Sequence, residues 1–222
     1  MKETKSNWAC VTKEFMQKTP EINLGQYASH WFYKTPRRVL HSMSYYKFAA
    51  KLIGPDKRVL DIGCNEGLGT FLMGKECGFA KGVDFDEEAI KCAQKNFTEP
   101  FVQFAASDFL ESSEDEKWDA IINFDVIEHI MPENAPAFFA SIAKHLTPEG
   151  VAIIGTPSKI SQDFASEISK KGHVNIYTYE RLEEEMQKHF NCVFMFAAND
   201  EVVHTGYLPL AHYFITVGCK KK

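Results

Sequence analysis

Apolar positions along the chain change their period twice. Up to about residue 40 they follow no clean period, although aromatic and basic side chains are frequent there: Trp8, Phe15, Tyr27, Trp31, Phe32, Tyr33, Arg37 and Arg38. From Ser42 to Ile53 the residues Tyr45, Phe48, Ala49 and Leu52 fall on one face. That spacing predicts a helix, stopped by Gly54-Pro55-Asp56. Short apolar runs then alternate with helical spacing. Arg58 to Ile62, Ala80 to Phe85, Phe101 to Ala105, Trp118 to Phe124 and Gly150 to Gly155 read as buried strands. Leu68 to Cys77, Glu87 to Phe97 and Ala135 to Leu146 read as helices. This alternation predicts an α/β fold, a parallel sheet with helices on both faces. After Gly155 a long loop with a short helix leads to Tyr177. A helix from Thr178, its N-cap, to Phe190 follows, then strands at Val193 to Ala197 and His212 to Val217. The stretch Asn199 to Leu210 between these strands is rich in turn residues and polar groups. No internal repeat or low-complexity linker is visible.

Composition narrows the class. A chain of 222 residues, 45% hydrophobic, suits one domain with a sizeable core. Its net charge of −5 lacks the footprint of a nucleic-acid binder, and the only dense basic tract, Lys220-Lys221-Lys222, reads as a solvated tail. No apolar run approaches the roughly 20 residues of a membrane span. The polar start Met1-Lys2-Glu3-Thr4-Lys5 leads into no signal core. The six cysteines are scattered without a Cys-x-x-Cys pair, which fits free thiols in a reducing cytoplasm. The expectation is a cytoplasmic protein acting on a small molecule, with no nucleic acid and no membrane span; the oligomeric state is not encoded in these features.

The chemistry concentrates after the first strand. It ends at Asp61, and Gly63, Gly67 and Gly69 then permit a tight turn and close backbone approach to a ligand. Asp84 ends the second strand, 23 residues after Asp61, where a carboxylate can accept from the hydroxyls of an adenosine ribose. Dinucleotides and S-adenosylmethionine (SAM) share this plan. The dinucleotide fingerprint G-x-G-x-x-G needs a glycine where this chain has Asn65. Asp61 and Glu66 would oppose a pyrophosphate, whereas they suit a sulfonium and an ammonium. A glycine turn that binds nothing is the simpler alternative, and Asp84 argues against it.

Further segments carry a resemblance. Val59 to Gly69, Gly82-Val83-Asp84, Ser107-Asp108-Phe109, Trp118 to Ile122, Val126-Ile127-Glu128-His129 and Leu146-Thr147-Pro148-Glu149-Gly150 resemble, in order and spacing, the motifs of class I SAM-dependent methyltransferases. The likeness spans roughly residues 40 to 220. Within that family the chain is similar to the small-molecule branch that includes ubiquinone-biosynthesis O-methyltransferases. Gly172 to Asn175 and Asn199 to Gly206 resemble methyltransferases encoded with surface-polysaccharide genes. The resemblance implies a Rossmann-like fold, a seven-stranded, mostly parallel sheet with an antiparallel last strand. It implies that Gly63 and its neighbours Asp61, Cys64, Asn65 and Gly67 hold the methionine part of SAM. Asp84 would hold the ribose, with Phe85 beside the adenine; Asp108 would bond the adenine amino group, with Phe109 next to it. Asn123 and Phe124 would line the sulfonium region. Asn65, where a glycine is commoner, is the departure. Residues 1–40 lie outside the likeness and would form a lid or substrate cover on a domain of residues 41–222.

On the acceptor side, His129, His173 and His204 lie in three loops at one end of the sheet and are the candidate general bases. Each also reads as an ordinary loop or helix-start histidine. His173, Asp200 and His204 are a weaker metal-site alternative, because no helical histidine pair supports it; no metal is expected. His30, His41, His145, His189 and His212 read as structural or solvated. Tyr27, Trp31, Phe32, Tyr45 and Tyr46 are candidates to close over a sulfonium, and Arg37, Arg38 and Lys47 to hold an anion. Polar acceptor loops favour an oxygen of a sugar, nucleotide-linked sugar or related surface-polysaccharide precursor over a quinone. A NAD-dependent oxidoreductase and a non-catalytic methyltransferase-like subunit are the alternatives of other classes.

Overall fold

A computed structural model describes residues 2–111 and 115–222. Three helices precede the first strand: α1 (Lys2–Lys18), α2 (Gln26–Lys34) and α3 (Pro36–Ile53). The alternating part is β1 (Lys57–Ile62), α4 (Leu68–Cys77), β2 (Gly78–Asp84), α5 (Glu87–Asn96), β3 (Val102–Ala106), β4 (Trp118–Phe124), α6 (Ala135–His145) and β5 (Leu146–Pro157). It is followed by α7 (Glu167–Gly172), α8 (Tyr179–Gln187), β6 (Phe190–Ala198), β7 (Val203–His204) and β8 (Tyr213–Lys221).

The strands form one sheet in the order β3-β2-β1-β4-β5-β8-β6-β7. β1 pairs in parallel with β2 and β4, β2 with β3, and β4 with β5. β8 runs antiparallel between β5 and β6. The expected parallel sheet with an antiparallel last strand is therefore present. The count is corrected from seven to eight, because Val203 and His204 pair with Ala198 and Ala197 at the edge. A two-residue strand carries no alternation for a sequence pattern to reveal.

Each face of the sheet has its own core. On one, Ile121, Ile154 and Phe214 meet Phe138, Phe139 and Ile142 of α6 and Leu182 and Met186 of α8. On the other, Val59, Ile122 and Ile153 meet Tyr45, Tyr46 and Ala49 of α3 and Met73 and Cys77 of α4. Alternate strand residues point to opposite faces, and both faces are covered, which explains the near-continuous apolar runs. Asp86 caps α5 by accepting from the Glu88 and Ala89 amides, and Thr178 caps α8 by accepting from Arg181.

The first 40 residues are more regular than their pattern predicts. Pro36 opens α3 at its first turn, six residues before the expected start. α2 has no buried residue, and α1 exposes Trp8, Val11, Phe15 and Met16, so neither shows an apolar stripe in register with the core.

Candidate cofactor and acceptor site

The loop between β1 and α4 is built by close approach. A Cβ on Gly69 would lie 2.1 Å from the Tyr46 ring, so only glycine lets α4 start against α3 there. Asn65 has φ 49°, a left-handed conformation that asparagine adopts more readily than most residues, which is how it substitutes for a glycine. Its amide donates to Asp84 Oδ2 at 2.8 Å, and the Asp86 amide donates to Asp84 Oδ1 at 3.0 Å. Asp84 thus braces the loop at the end of β2, half-buried, with lone pairs to spare on both oxygens.

The two other acidic residues of this region play different parts from those expected of them. Glu66 is buried and accepts from the amides of Tyr27 and Ala28, both at 2.7 Å. Its carboxylate closes the N-terminus of α2, where helix amides and dipole favour an anion. Asp61 lies fully buried under the loop, accepting from Thr70 Oγ1 at 2.6 Å and from the Tyr46 hydroxyl at 3.3 Å. Burial pushes its carboxyl up to about 7. Both carboxylates are hydrogen-bonded inside the protein, so the charge argument for the ligand is weakened: Asp61 faces no cavity, and Glu66, which lines the first cavity, is already held by the α2 amides.

Asp61 gives a pH-dependent prediction. Its folded value exceeds the ordinary carboxylate value near 3.9, so folding favours the protonated form. The benefit is complete below about pH 4 and is lost as pH rises to about 7, a change on the order of 4 kcal/mol. Asp61→Asn removes this titration. Its stability relative to the parent, from denaturant unfolding at pH 5, 6.5 and 8, is expected to rise with pH. A constant difference would show that Asp61 does not titrate in that range.

One cavity adjoins the loop, and a second adjoins the first. The first, of about 150 Å³, lies between the segment Gly63–Gly69 and the helices α2 and α3; Tyr27, Trp31, Met43 and Tyr46 line it. Cys64, Asn65, Phe124 and Asp125 also contribute. The second, of about 530 Å³, lies among α3, the segment after β5 and the end of β6. Trp31, Arg38, Ser42 and Asp125 line both. Arg38 lies over the Trp31 ring, 4.2 Å from its centroid. Asp125 follows β4 in the left-handed region at φ 58°, unusual for a residue with a side chain. Burial pushes its carboxyl up, and Arg38 offsets part of that.

The remaining predicted residues divide. Phe85 is 83% exposed beside Asp84, and Asp108 is exposed at the end of β3, with one oxygen accepting from the Leu110 amide at 2.9 Å. Both are open to a ligand lying across the strand ends. Phe124 packs against Tyr45 and Tyr46 at the first cavity. Asn123 is buried and donates to the Ile62 carbonyl at 3.0 Å, while its Oδ1 has no partner. Phe109 instead faces the core, edge-on to Phe138, because the chain turns under β3 there. Of the proposed covers, Phe32 is exposed and lines neither cavity, and of the basic residues Lys47 lines neither.

The three candidate bases do not converge. His204 lines neither cavity; its Nδ1 accepts from the Gly206 amide at 3.0 Å within the edge hairpin. His129 and His173 do meet, with ring centroids 5.1 Å apart. His129 Nδ1 donates to the Gly172 carbonyl at 2.9 Å, and His173 Nδ1 donates to Gln162 Oε1 at 2.8 Å. Carbonyl oxygens only accept, so this tautomer leaves Nε2 of each ring a free acceptor. His173 lines the second cavity, and burial beside His129 lowers its pKa to about 4, so it is neutral at ordinary pH. Glu128 is buried next to them, accepts from Thr156 Oγ1 at 3.0 Å, and is pushed up to about 8 by burial and by Asp125. The metal group weighed from the sequence, with Asp200 and His204, is thus not the one formed.

Sequence inspection missed Asp125, Gln162, Tyr213 and His212, all on the second cavity. Asp125 had a signal, an acidic residue directly after a buried strand. Gln162 and Tyr213 reach the cavity through a long connection and an antiparallel strand, and no local spacing announces that.

Comparison with known proteins agrees with this geometry. Residues 31–192 match the family described as methyltransferase domain, and the chain belongs to that family. It is 32% identical over 136 residues to phosphoethanolamine N-methyltransferase 1 of Zea mays, covering 57% of this chain and 27% of that protein. It is 27% identical over 122 residues to the ubiquinone biosynthesis O-methyltransferase of Pasteurella multocida, covering 49% of this chain and 50% of that one. The chain spans about half or less of the length of these relatives. The crystal structure of N-methyltransferase NodS from Bradyrhizobium japonicum shares the fold, with TM-score 0.63 and 17% identity over 85% of this chain and 99% of that one. SAM is the cofactor of the family. Among the described residues no helix is long and apolar enough to cross a membrane.

Proposed function

We propose that this chain transfers the methyl group of SAM to an oxygen of a small polar acceptor, a sugar, a nucleotide-linked sugar or a related surface-polysaccharide precursor. The observation that carries this reading is the junction of the two cavities at Trp31, Arg38, Ser42 and Asp125. The methionyl end of SAM would enter the first cavity, beside Gly63, Cys64, Asn65 and Gly67. The adenosine would lie across Asp84, Phe85 and Asp108. The sulfonium would then point past Phe124 and Asp125 toward the second cavity.

The lining of that second cavity favours an oxygen-rich acceptor. Trp31 Nε1 and Gln162 Nε2 are buried donors without a partner. A buried donor left unpaired costs about 1–3 kcal/mol, which an acceptor oxygen in the cavity would recover. Arg38 adds a positive group at the junction, suited to a phosphate or carboxylate on the acceptor or to the SAM carboxylate. Transfer itself is an in-line displacement, and holding the two reactants in register can supply about 7–11 kcal/mol of the barrier. Within residues 1–40, α2 and the first turn of α3 line the first cavity through Tyr27, Ala28, Trp31, Arg38 and Val39, in keeping with a lid over the donor.

Calorimetric titration with SAM, S-adenosylhomocysteine and NAD tests the donor. SAM and S-adenosylhomocysteine are expected to bind one per chain, and NAD not at all. NAD binding without SAM binding would overturn the reading. A screen of hydroxylated sugars and nucleotide sugars, followed by methyl-group detection, then tests the acceptor.

A further inference from the structure

We propose that Glu128, His129 and His173 bind one divalent transition-metal ion beside the second cavity, which His173 alone of the three lines, and that the ion holds and polarises the acceptor oxygen. The second half of this proposal rests on the acceptor site assigned above; the ion site itself does not.

One ligand-competent atom from each of the three residues lies within 4.8 Å of the others. The residues come from two segments far apart in sequence, and backbone contacts join those segments. The Asn175 amide donates to the Glu128 carbonyl at 3.0 Å, and His129 Nδ1 donates to the Gly172 carbonyl at 2.9 Å. The cluster is therefore held by the fold rather than by chance contact of mobile side chains.

The hydrogen bonds also set the chemistry. Metal-bound histidines commonly donate their second ring N–H to a carbonyl or carboxylate, which fixes tautomer and ring orientation. Both rings have that arrangement here, through Gly172 and Gln162. Glu128 is 1% exposed, and no ion pair among the described residues includes it. Glu128 is thus a buried carboxyl beside two imidazole acceptors, a donor set that a dication would satisfy. Two imidazoles and one carboxylate suit Mn²⁺, Fe²⁺, Co²⁺ or Zn²⁺ better than Mg²⁺, which prefers oxygen ligands. Three protein ligands leave coordination positions open, as in catalytic sites.

Those positions fit an acceptor with two neighbouring oxygens, such as a vicinal diol or a hydroxy acid. Bound to the ion, the acceptor hydroxyl releases its proton more readily, here to the Asp125 carboxylate on the same cavity. The oxygen lone pair forms the O–CH₃ bond as the S–CH₃ bond breaks. The sulfonium becomes the neutral thioether of S-adenosylhomocysteine, and no electron acceptor is needed.

The test uses the full chain stripped with a chelator, then titrated with Zn²⁺, Mn²⁺ and Mg²⁺ by calorimetry, with metal content measured after dialysis. Zn²⁺ or Mn²⁺ is expected to bind at one ion per chain, more tightly than Mg²⁺. Glu128→Gln and His173→Ala should weaken it at least tenfold, and Gln162→Ala, which keeps all three ligands, by about 10–100-fold. S-adenosylhomocysteine affinity should stay within about twofold in each variant, which shows that the variants fold. Parent protein that binds no ion, or binds it equally in His173→Ala, overturns the site. Full activity of the stripped protein overturns its role in transfer. Loss of S-adenosylhomocysteine binding in the parent would fail the donor reading and leave the metal result standing.

Discussion

Alanine in place of Asp84 is expected to weaken both SAM and S-adenosylhomocysteine by about 100-fold or more. The estimate comes from two hydrogen bonds to a charged group at about 1.5–3 kcal/mol each. Part of the effect belongs to the loop, because Asp84 also receives the amides of Asn65 and Asp86. An analogue separates the two. The parent should discriminate strongly between S-adenosylhomocysteine and its 2′,3′-dideoxy form, whereas Asp84→Ala should bind both alike. Calorimetry reads both effects. Equal discrimination in parent and variant would mean that Asp84 braces the loop and does not touch the ribose.

The second large effect is on turnover. The double variant His129→Ala, His173→Ala, which removes two of the three proposed ion ligands, is expected to lower the single-turnover rate of transfer by about 10²–10⁴-fold with an acceptor that must lose a proton. SAM binding should be nearly unchanged, since neither ring lines the first cavity. His204→Ala should keep near-parental turnover because that ring is committed to the Gly206 amide. Single-turnover measurement under saturating SAM isolates the chemical step. A fully active double variant would show that neither ring, nor an ion held by them, takes part in transfer, as for an acceptor oxygen that is already ionised.

The sheet was legible in the sequence because its inner strands are covered on both faces. Runs such as Trp118 to Phe124 are therefore apolar at every position but Asp119 and Asn123. The loop was legible because a tight turn must use glycine or asparagine. Charge was the poorest guide. A carboxylate in the sequence reads as a charge available to a ligand, but Glu66 is spent on the start of α2 and Asp61 is buried beneath Tyr46 and Thr70. The same limit applied to histidines. His129 and His173 are 44 residues apart, and only the bond to Gly172 and the Asn175 contacts reveal that they are neighbours. His204 had the same loop context and ended on the sheet edge. Long-range stitching of irregular segments leaves no period, so the acceptor side was the less readable half.

The grip of Glu66 on α2 has a bearing on time as well as on shape. Any outward swing of α2 begins by giving up two amide bonds to a buried carboxylate, and that carboxylate sits in the same loop that lines the first cavity. Cover and loop are thereby linked, so a ligand that shifts the loop also changes the hold on the cover. Exchange of spent cofactor for fresh would then set the pace of repeated cycles, and a first turnover would run faster than those that follow.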